Sequence, residues 1–230
     1  MRCEVNPRAL VFGSFGVNRA TDSLWRVQVS PLRFDGVWRF DPVLRPDDRG
    51  VFLESFKADV FTGTVGHPLD LAQMNVSVSK EGTIRGVHFA DVPPGQAKYV
   101  QCFAGAILDI VVDIRVGSPT FGEYDPIELT ADSRTGLYIP EGFGHAFCAL
   151  SDSATVGYLC SEGYSPEREH GIHPLDPDLA LPWPTSASPV LSPKDAASPG
   201  FLEARDSGLL PTYESCLDFI STLNGASRES

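Results

Sequence analysis

The chain reads as a mainly β protein, a sandwich or barrel, and three observations carry that reading. Short segments of alternating apolar and polar residues recur from Trp25 onward, Gly, Pro and Asp punctuate them, and helical spacing of apolar residues appears only beyond Pro199. With 230 residues, 42% of them hydrophobic, the chain has enough apolar surface for a sizeable core. One domain over residues 25–230 is expected. Residues 1–24 show weak periodicity and scattered Gly and Ser, which predicts a poorly ordered N-terminal extension.

Taken in order, Trp25-Arg26-Val27-Gln28-Val29 and Gly36-Val37-Trp38-Arg39-Phe40 are the first strand-like pieces. Asp47-Asp48-Arg49-Gly50 is a turn opening onto Val51–Phe56, where alternation would put Phe52, Glu54 and Phe56 on one face. An unpaired carboxylate between two aromatics is costly if that face is core, so Glu54 is either a polar anchor in a ligand pocket with Arg49 nearby or a solvated edge residue. Leu71–Ser79 alternates strictly, and Gln73, Asn75, Ser77 and Ser79 share a face that is either solvent or the wet mouth of a barrel. In Ile107–Arg115, Leu108, Ile110, Val112 and Ile114 take the packed side. Asp109 takes the other, where it would orient a pocket histidine, pair with a pocket cation or form a structural ion pair. Pro140 and Gly142 turn a tight corner before His145, and Val156–Cys160 is a further strand carrying Tyr158. Six prolines between residues 174 and 195 predict an extended strap without regular structure. A helix is expected to start near Pro199, and a second from Pro211, with Tyr213, Cys216, Leu217, Ile220 and Leu223 at helical spacing and Gly225 as its stop.

The stretch best suited to chemistry is Gly82–Phe89, continued through Pro93–Val100, which places Arg85, His88 and Lys98 within fourteen residues on two strands joined by a Pro-Pro-Gly turn. Histidine titrates near neutral pH, and fixed cations beside it can hold an anion, a combination suited to removing a proton next to a carbonyl. Strict alternation would separate Arg85 and His88 onto opposite faces. A bulge at Gly86 is therefore expected if both serve one pocket.

A formal charge of −12 argues against nucleic acid or an anionic membrane as partner, because no basic stripe is present to neutralise a polyanion. A small anion remains possible as ligand, provided the few cations are concentrated at one site. The only lysines are Lys57, Lys80, Lys98 and Lys194. Five widely spaced cysteines without CxxC spacing read as thiols in a reducing compartment rather than as a disulfide framework or zinc site. No apolar run reaches the ~18 residues of a membrane span and no cleavable leader is evident, so a cytoplasmic protein is expected.

Several motifs in order carry a family resemblance: D-x-R-G-x-F-x-E-x-F at 47–56, Q-x-N-x-S at 73–77, R-G-x-H-F at 85–89, S-P-T-F-G at 118–122, I-P-E-G-F-x-H at 139–145, Y-S-P at 164–166 and L-S-x-K-D at 191–195. Together they closely resemble the dTDP-4-dehydrorhamnose 3,5-epimerase family, from about Trp25 to the C-terminus. The resemblance implies a cupin-type double-stranded β-helix (jelly-roll) barrel with short C-terminal helices. It further implies a homodimer whose protomers exchange N-terminal strands, and cofactor-free epimerisation of a dTDP-4-keto-6-deoxyhexose at carbon 3, carbon 5 or both. Carried over by motif, His88 is the general base, Asp195 its carboxylate partner, Tyr158 the acid, and Lys98 the group that steadies the enolate oxygen. Arg49, Phe52, Glu54, Gln73, Asn75, Arg85, His145, Glu169 and Lys194 match nucleotide-sugar contacts, and Tyr164 a ring that stacks on thymine. Ala146 stands where the family usually has glycine, a methyl expected to narrow the pocket near His145.

Two other classes compete. A metal-dependent cupin needs a H-x-H pair, but Ala90 stands two residues after His88, so no metal or other cofactor is expected. A non-catalytic sugar-nucleotide-binding cupin would lack the base or the acid, whereas His88, Tyr158 and Asp195 are all present. Mono-epimerases that act on modified deoxysugars share the matched residues, so the motifs do not choose between them and the 3,5-epimerases.

Overall fold

The computed structural model describes residues 26–184 and 188–226; the extension expected over residues 1–24 lies outside them, as does Trp25. The chain runs through β1 (Gln28–Pro31), β2 (Trp38–Asp41), β3 (Arg45–Asp47), β4 (Gly50–Phe52), α1 (Ala58–Val65), β5 (Gln73–Lys80), β6 (Ile84–Ala90), β7 (Lys98–Ala104) and β8 (Ala106–Val112). It continues with β9 (Tyr124–Thr130), β10 (Gly136–Ile139), β11 (Gly144–Ala149), β12 (Ser153–Cys160), β13 (Glu169–Gly171), α2 (Pro193–Ala196), α3 (Phe201–Asp206) and α4 (Tyr213–Ala226). Two antiparallel sheets, ordered β1-β2-β10-β7-β12-β5 and β13-β6-β11-β8-β9, make the mainly β, cupin-type body that the sequence predicts.

Because side chains alternate along a strand, each sheet supplies one face to an inner core and one to an outer layer. Val100, Cys102, Leu137, Ile139 and Val156 from the first sheet meet Val111, Leu129 and Phe147 from the second in the inner core. The outer face of the first sheet carries Phe40, Tyr99 and Tyr138, sealed by Phe61 of α1. The outer face of the second carries Val87, Phe89, Ile110 and Val112, sealed by Ile172, Leu179 and Leu181 of the Pro-rich strap and Phe201 and Ala204 of α3. Helix α1 covers one sheet and the strap with α3 covers the other, which leaves the space between the sheets to the core and a cleft.

Three expectations are corrected here. The strand read through Phe56 stops at Phe52, and its expected face divides: Phe52 is 64% exposed, whereas Phe56 packs on Phe61 and Tyr99 with ring centroids 5.4 and 5.1 Å away. Helix α1, unread in the sequence, follows at once. It is stabilised by burial of Phe61 and ended by Gly66, whose φ of 98° is left-handed. Helix α4 passes through Gly225 rather than stopping there. It docks through Tyr213, whose ring lies 4.9 Å from the Arg115 guanidinium; Phe143 lies 3.9 Å away on the same cation, and Asp113 pairs with it at 2.8 Å.

Candidate active site

The cleft, of about 760 Å³, opens between the β5 edge of one sheet and the β6–β13 edge of the other. Its first wall is a row of polar residues on the inward face of β5, with Gln73 and Asn75 bonded to each other at 2.6 Å. The apolar residues that alternate with them, Met74, Val76 and Val78, are exposed, and Val76 and Val78 also border the cleft. The face is therefore barrel mouth, the second of the two alternatives. Register places Tyr158 of β12 across from Asn75, and Cys160 between Gln73 and Lys98 of β7. Tyr158 and Lys98 thus belong to this wall.

The opposite wall is β6. His145 and Phe147 of β11 pair with His88 and Arg85, so three steps along β6 span two along β11. That is the expected bulge, and it brings both Arg85 and His88 into the cleft. Gly86 sits in it at φ 120°, where a Cβ would lie 2.5 Å from the His145 carbonyl oxygen and 2.6 Å from the Ala146 Cβ. The expectation for Ala146 is corrected accordingly: its methyl is fully buried in the outer layer against Gly86 and does not narrow the cleft.

Asp195 arrives on α2 at the end of the strap, and its Oδ1 lies 2.6 Å from His88 Nε2. The strap reaches this point because the Ile84 N–H donates to the Val190 carbonyl at 3.0 Å, and the Val190 N–H to the Gly82 carbonyl at 2.9 Å, pinning it to the start of β6. Burial opposes the charge on Asp195, but hydrogen bonds from His88 and Ser192 and the charges of His88 and Lys194 overcome it and hold the carboxyl below its usual range. With Nε2 committed to the carboxylate, Nδ1 is the nitrogen left to take a proton.

Lys98 is only 8% exposed and has no carboxylate within ion-pair distance among the described residues. Burial pulls its pKa down, while Cys160, Glu169 and Glu141 oppose the shift. Burial pushes the Tyr158 phenol up, with the Arg85 charge pulling the other way, so it stays protonated at neutral pH. At the rim, the exposed Tyr164 ring has Lys194 Nζ 5.9 Å from its centroid, and the Tyr164 backbone N–H donates to Gln73 Oε1 at 2.9 Å. Glu169 accepts from Gln96 at 3.4 Å and from the Ser165 N–H at 3.3 Å.

Ten of the fourteen residues named from the sequence line this cleft: His88, Tyr158, Asp195, Lys98, Gln73, Asn75, Arg85, Tyr164, Glu169 and Lys194. Four do not. His145 is buried beside His88 with its Nε2 2.8 Å from Asp109 Oδ2, which makes Asp109 the orienter of a histidine rather than of a cleft cation. Arg49, 89% exposed and paired with Asp47, and Phe52 project on the β3–β4 hairpin, while Glu54 lies 3.8 Å from Lys57. Seven further residues line the cleft that the sequence reading did not assign to the site: Val76, Ser77, Val78, Phe89, Gln96, His170 and Ser192. Gln96 was legible from its place two residues before Lys98 and Ser77 from the alternating face, whereas Ser192 stood in the L-S-x-K-D motif with no role attached to it.

Among the described residues, no group of three or more His, Cys, Asp and Glu side chains is placed to hold a metal ion. The family model described as dTDP-4-dehydrorhamnose 3,5-epimerase matches residues 31–203. The chain belongs to the dTDP-4-dehydrorhamnose 3,5-epimerase family. This epimerase is 54% identical over 190 residues to a dTDP-4-dehydrorhamnose 3-epimerase of Streptomyces niveus, covering 83% of this chain and 91% of that protein. It is 51% identical over 192 residues to a dTDP-4-dehydrorhamnose 3,5-epimerase of Mycolicibacterium smegmatis, covering 84% and 94%. Among solved structures, NovW, a 4-keto-6-deoxy sugar epimerase of Streptomyces spheroides, superposes with TM-score 0.81 at 54% identity, covering 83% of this chain and 96% of that one. ChmJ, a 3'-monoepimerase of Streptomyces bikiniensis in complex with dTDP-quinovose, superposes with TM-score 0.83 at 45% identity, covering 84% and 98%.

Proposed function

We propose that this epimerase inverts a dTDP-4-keto-6-deoxyhexose at carbon 3, carbon 5 or both, with His88 as base and Tyr158 as acid. The observation that carries the reading is their placement on opposing sheets across one cleft, with His88 backed by Asp195 at 2.6 Å. The 4-keto group acidifies the hydrogens on carbons 3 and 5. His88 Nδ1 removes one of them, the electron pair passes into the carbonyl as an enolate, and the Lys98 ammonium steadies the oxygen, a contribution of roughly 10²–10³ in rate. Tyr158 then protonates the opposite face, and solvent returns the proton balance of the two side chains. Arg85 and Lys194 supply charge for the diphosphate, and Tyr164 a face for the thymine.

The active species in this reading is a homodimer in the cytoplasm. An exposed apolar stripe of Met74, Val76 and Val78 on the edge strand β5 supports a second copy there, and the projecting β3–β4 hairpin supports delivery of Arg49, Phe52 and Glu54 to that copy's cleft. Cys102, Cys148, Cys160 and Cys216 are buried free thiols, in keeping with a reducing compartment.

The test is incubation with dTDP-4-keto-6-deoxyglucose in heavy water, locating deuterium and configuration at carbons 3 and 5. Wild type incorporates deuterium with inversion, and His88→Ala loses about 10²–10⁴ of the exchange rate while still binding nucleotide. Normal exchange in His88→Ala would remove the base from this account.

A further inference from the structure

We infer that Ser192 is a positioning residue that locks Asp195 onto His88 and so selects which imidazole nitrogen acts as base, an inference that rests on the proton-transfer reading above. Ser192 bonds the aspartate twice. Its Oγ–H donates to Asp195 Oδ2 at 2.8 Å, and the same Oγ accepts the Asp195 backbone N–H at 3.0 Å. A hydroxyl has a single O–H to donate, and here that donor goes to the Asp195 side chain while a lone pair takes the same residue's main-chain N–H. The geometry is set locally. Ser192 is extended at φ −72° and ψ 157°, Pro193 holds the first position of α2, and the Ser192 carbonyl accepts the Ala196 N–H at 3.0 Å.

The consequence is that neither carboxylate oxygen of Asp195 is idle. Oδ1 faces His88, Oδ2 faces Ser192, and the residue is only 4% exposed. The neighbouring His145–Asp109 pair is built differently, because Asp109 holds the histidine through Oδ2 while its Oδ1 is buried without a partner among the described residues. A carboxylate held at one oxygen can turn about its last side-chain torsion; one held at both presents a fixed acceptor. A fixed acceptor at Nε2 keeps that nitrogen protonated and Nδ1 bare. Ser192 thus acts on His88 through Asp195, without touching the reacting atoms.

The experiment uses the full-length protein labelled with ¹⁵N-histidine, with the His88 signal assigned by its absence in His88→Ala, and compares Ser192→Ala, Ser192→Thr and Ser192→Gly. In wild type and Ser192→Thr, which keeps the hydroxyl, His88 shows one tautomer, Nε2 protonated. In Ser192→Ala it shows a mixture, kcat for solvent exchange falls about 10–100-fold, and KM for the sugar nucleotide stays within about twofold. Should Ser192→Ala fail to fold, Ser192→Gly carries the test, since glycine is nearly as good an N-cap yet supplies no hydroxyl. A wild-type tautomer and kcat in Ser192→Ala or Ser192→Gly overturns the inference, as does a loss that threonine does not restore or one that falls on KM. Failure of wild type to exchange any hydrogen of a 4-keto sugar nucleotide would instead sink the functional reading, and the tautomer measurement would still decide what Ser192 does.

Discussion

Stereochemistry at the level of single residues separates the roles of His88 and Tyr158. A base that returns its proton to the face it came from regenerates substrate, so inversion needs a donor from the opposite wall of the cleft. Tyr158→Phe is accordingly expected to keep solvent exchange with retained configuration while losing most epimerised product, scored separately at carbons 3 and 5. Inverted product at the wild-type rate at both carbons would assign the acid elsewhere. Lys98 sets a pH limit. Burial, only partly offset by Cys160, Glu169 and Glu141, depresses its pKa, so the ammonium form is lost at a lower pH than for an ordinary lysine. The alkaline limb of kcat should lie below the usual lysine range of about 10.4, and Lys98→Arg should carry it upward because a guanidinium does not titrate there. Tyr158, pushed up by burial, is protonated across that window and does not create the limb.

Among the elements, β6 decides whether a site exists. Its bulge turns Arg85 and His88 to one side, and only glycine fits at residue 86, where φ is 120° and the Ala146 Cβ would stand 2.6 Å from an added Cβ. Gly86→Ala must either push β11 away or straighten β6. It should lower stability by about 1–3 kcal/mol in urea titration and cost activity beyond that, since straightening turns His88 or Arg85 out of the cleft. A fully folded, fully active alanine variant would show that the bulge is dispensable. The strap is the second decisive element, because it covers the outer layer with Leu179 and Leu181 and then delivers Asp195.

For the whole molecule, the test concerns a second copy. If the β3–β4 hairpin serves the neighbouring cleft, Arg49→Ala and His88→Ala proteins, each strongly impaired alone, should complement when unfolded and refolded together. Random pairing makes half the dimers mixed, each with one intact site, for about a quarter of wild-type activity. Absence of complementation, with mixed dimers demonstrated by mass spectrometry, would return Arg49 to its own protomer. Met74→Arg, on the apolar stripe but outside the cleft lining, should shift the sedimentation coefficient toward monomer and lower activity in parallel.

Sequence by itself determined the strand-rich fold, the strap, the C-terminal helices and the two walls of the cleft. Alternation on β5 and the need for a bulge at Gly86 are local consequences of backbone geometry, and a chain that obeys them carries them in its residues. Tertiary structure decided the rest. Helix α1 contains Val60, Thr62, Gly63, Thr64 and Val65, weak helix formers, and forms where Phe61 can be buried against Tyr138 and Phe40. The strand expected through Phe56 was cut short because Phe56 is recruited to that same cluster, leaving Phe52 and Arg49 to project. His145 was turned to Asp109, a partner thirty-six residues away on β8, by pairing that no local pattern encodes. Ser192 stood in a motif without a role because that role exists only once the strap has brought Asp195 to His88, 107 residues distant in sequence. Periodicity reports what a residue's own strand or helix requires; which long-range partner meets it depends on how the sheets close and what each cover must bury.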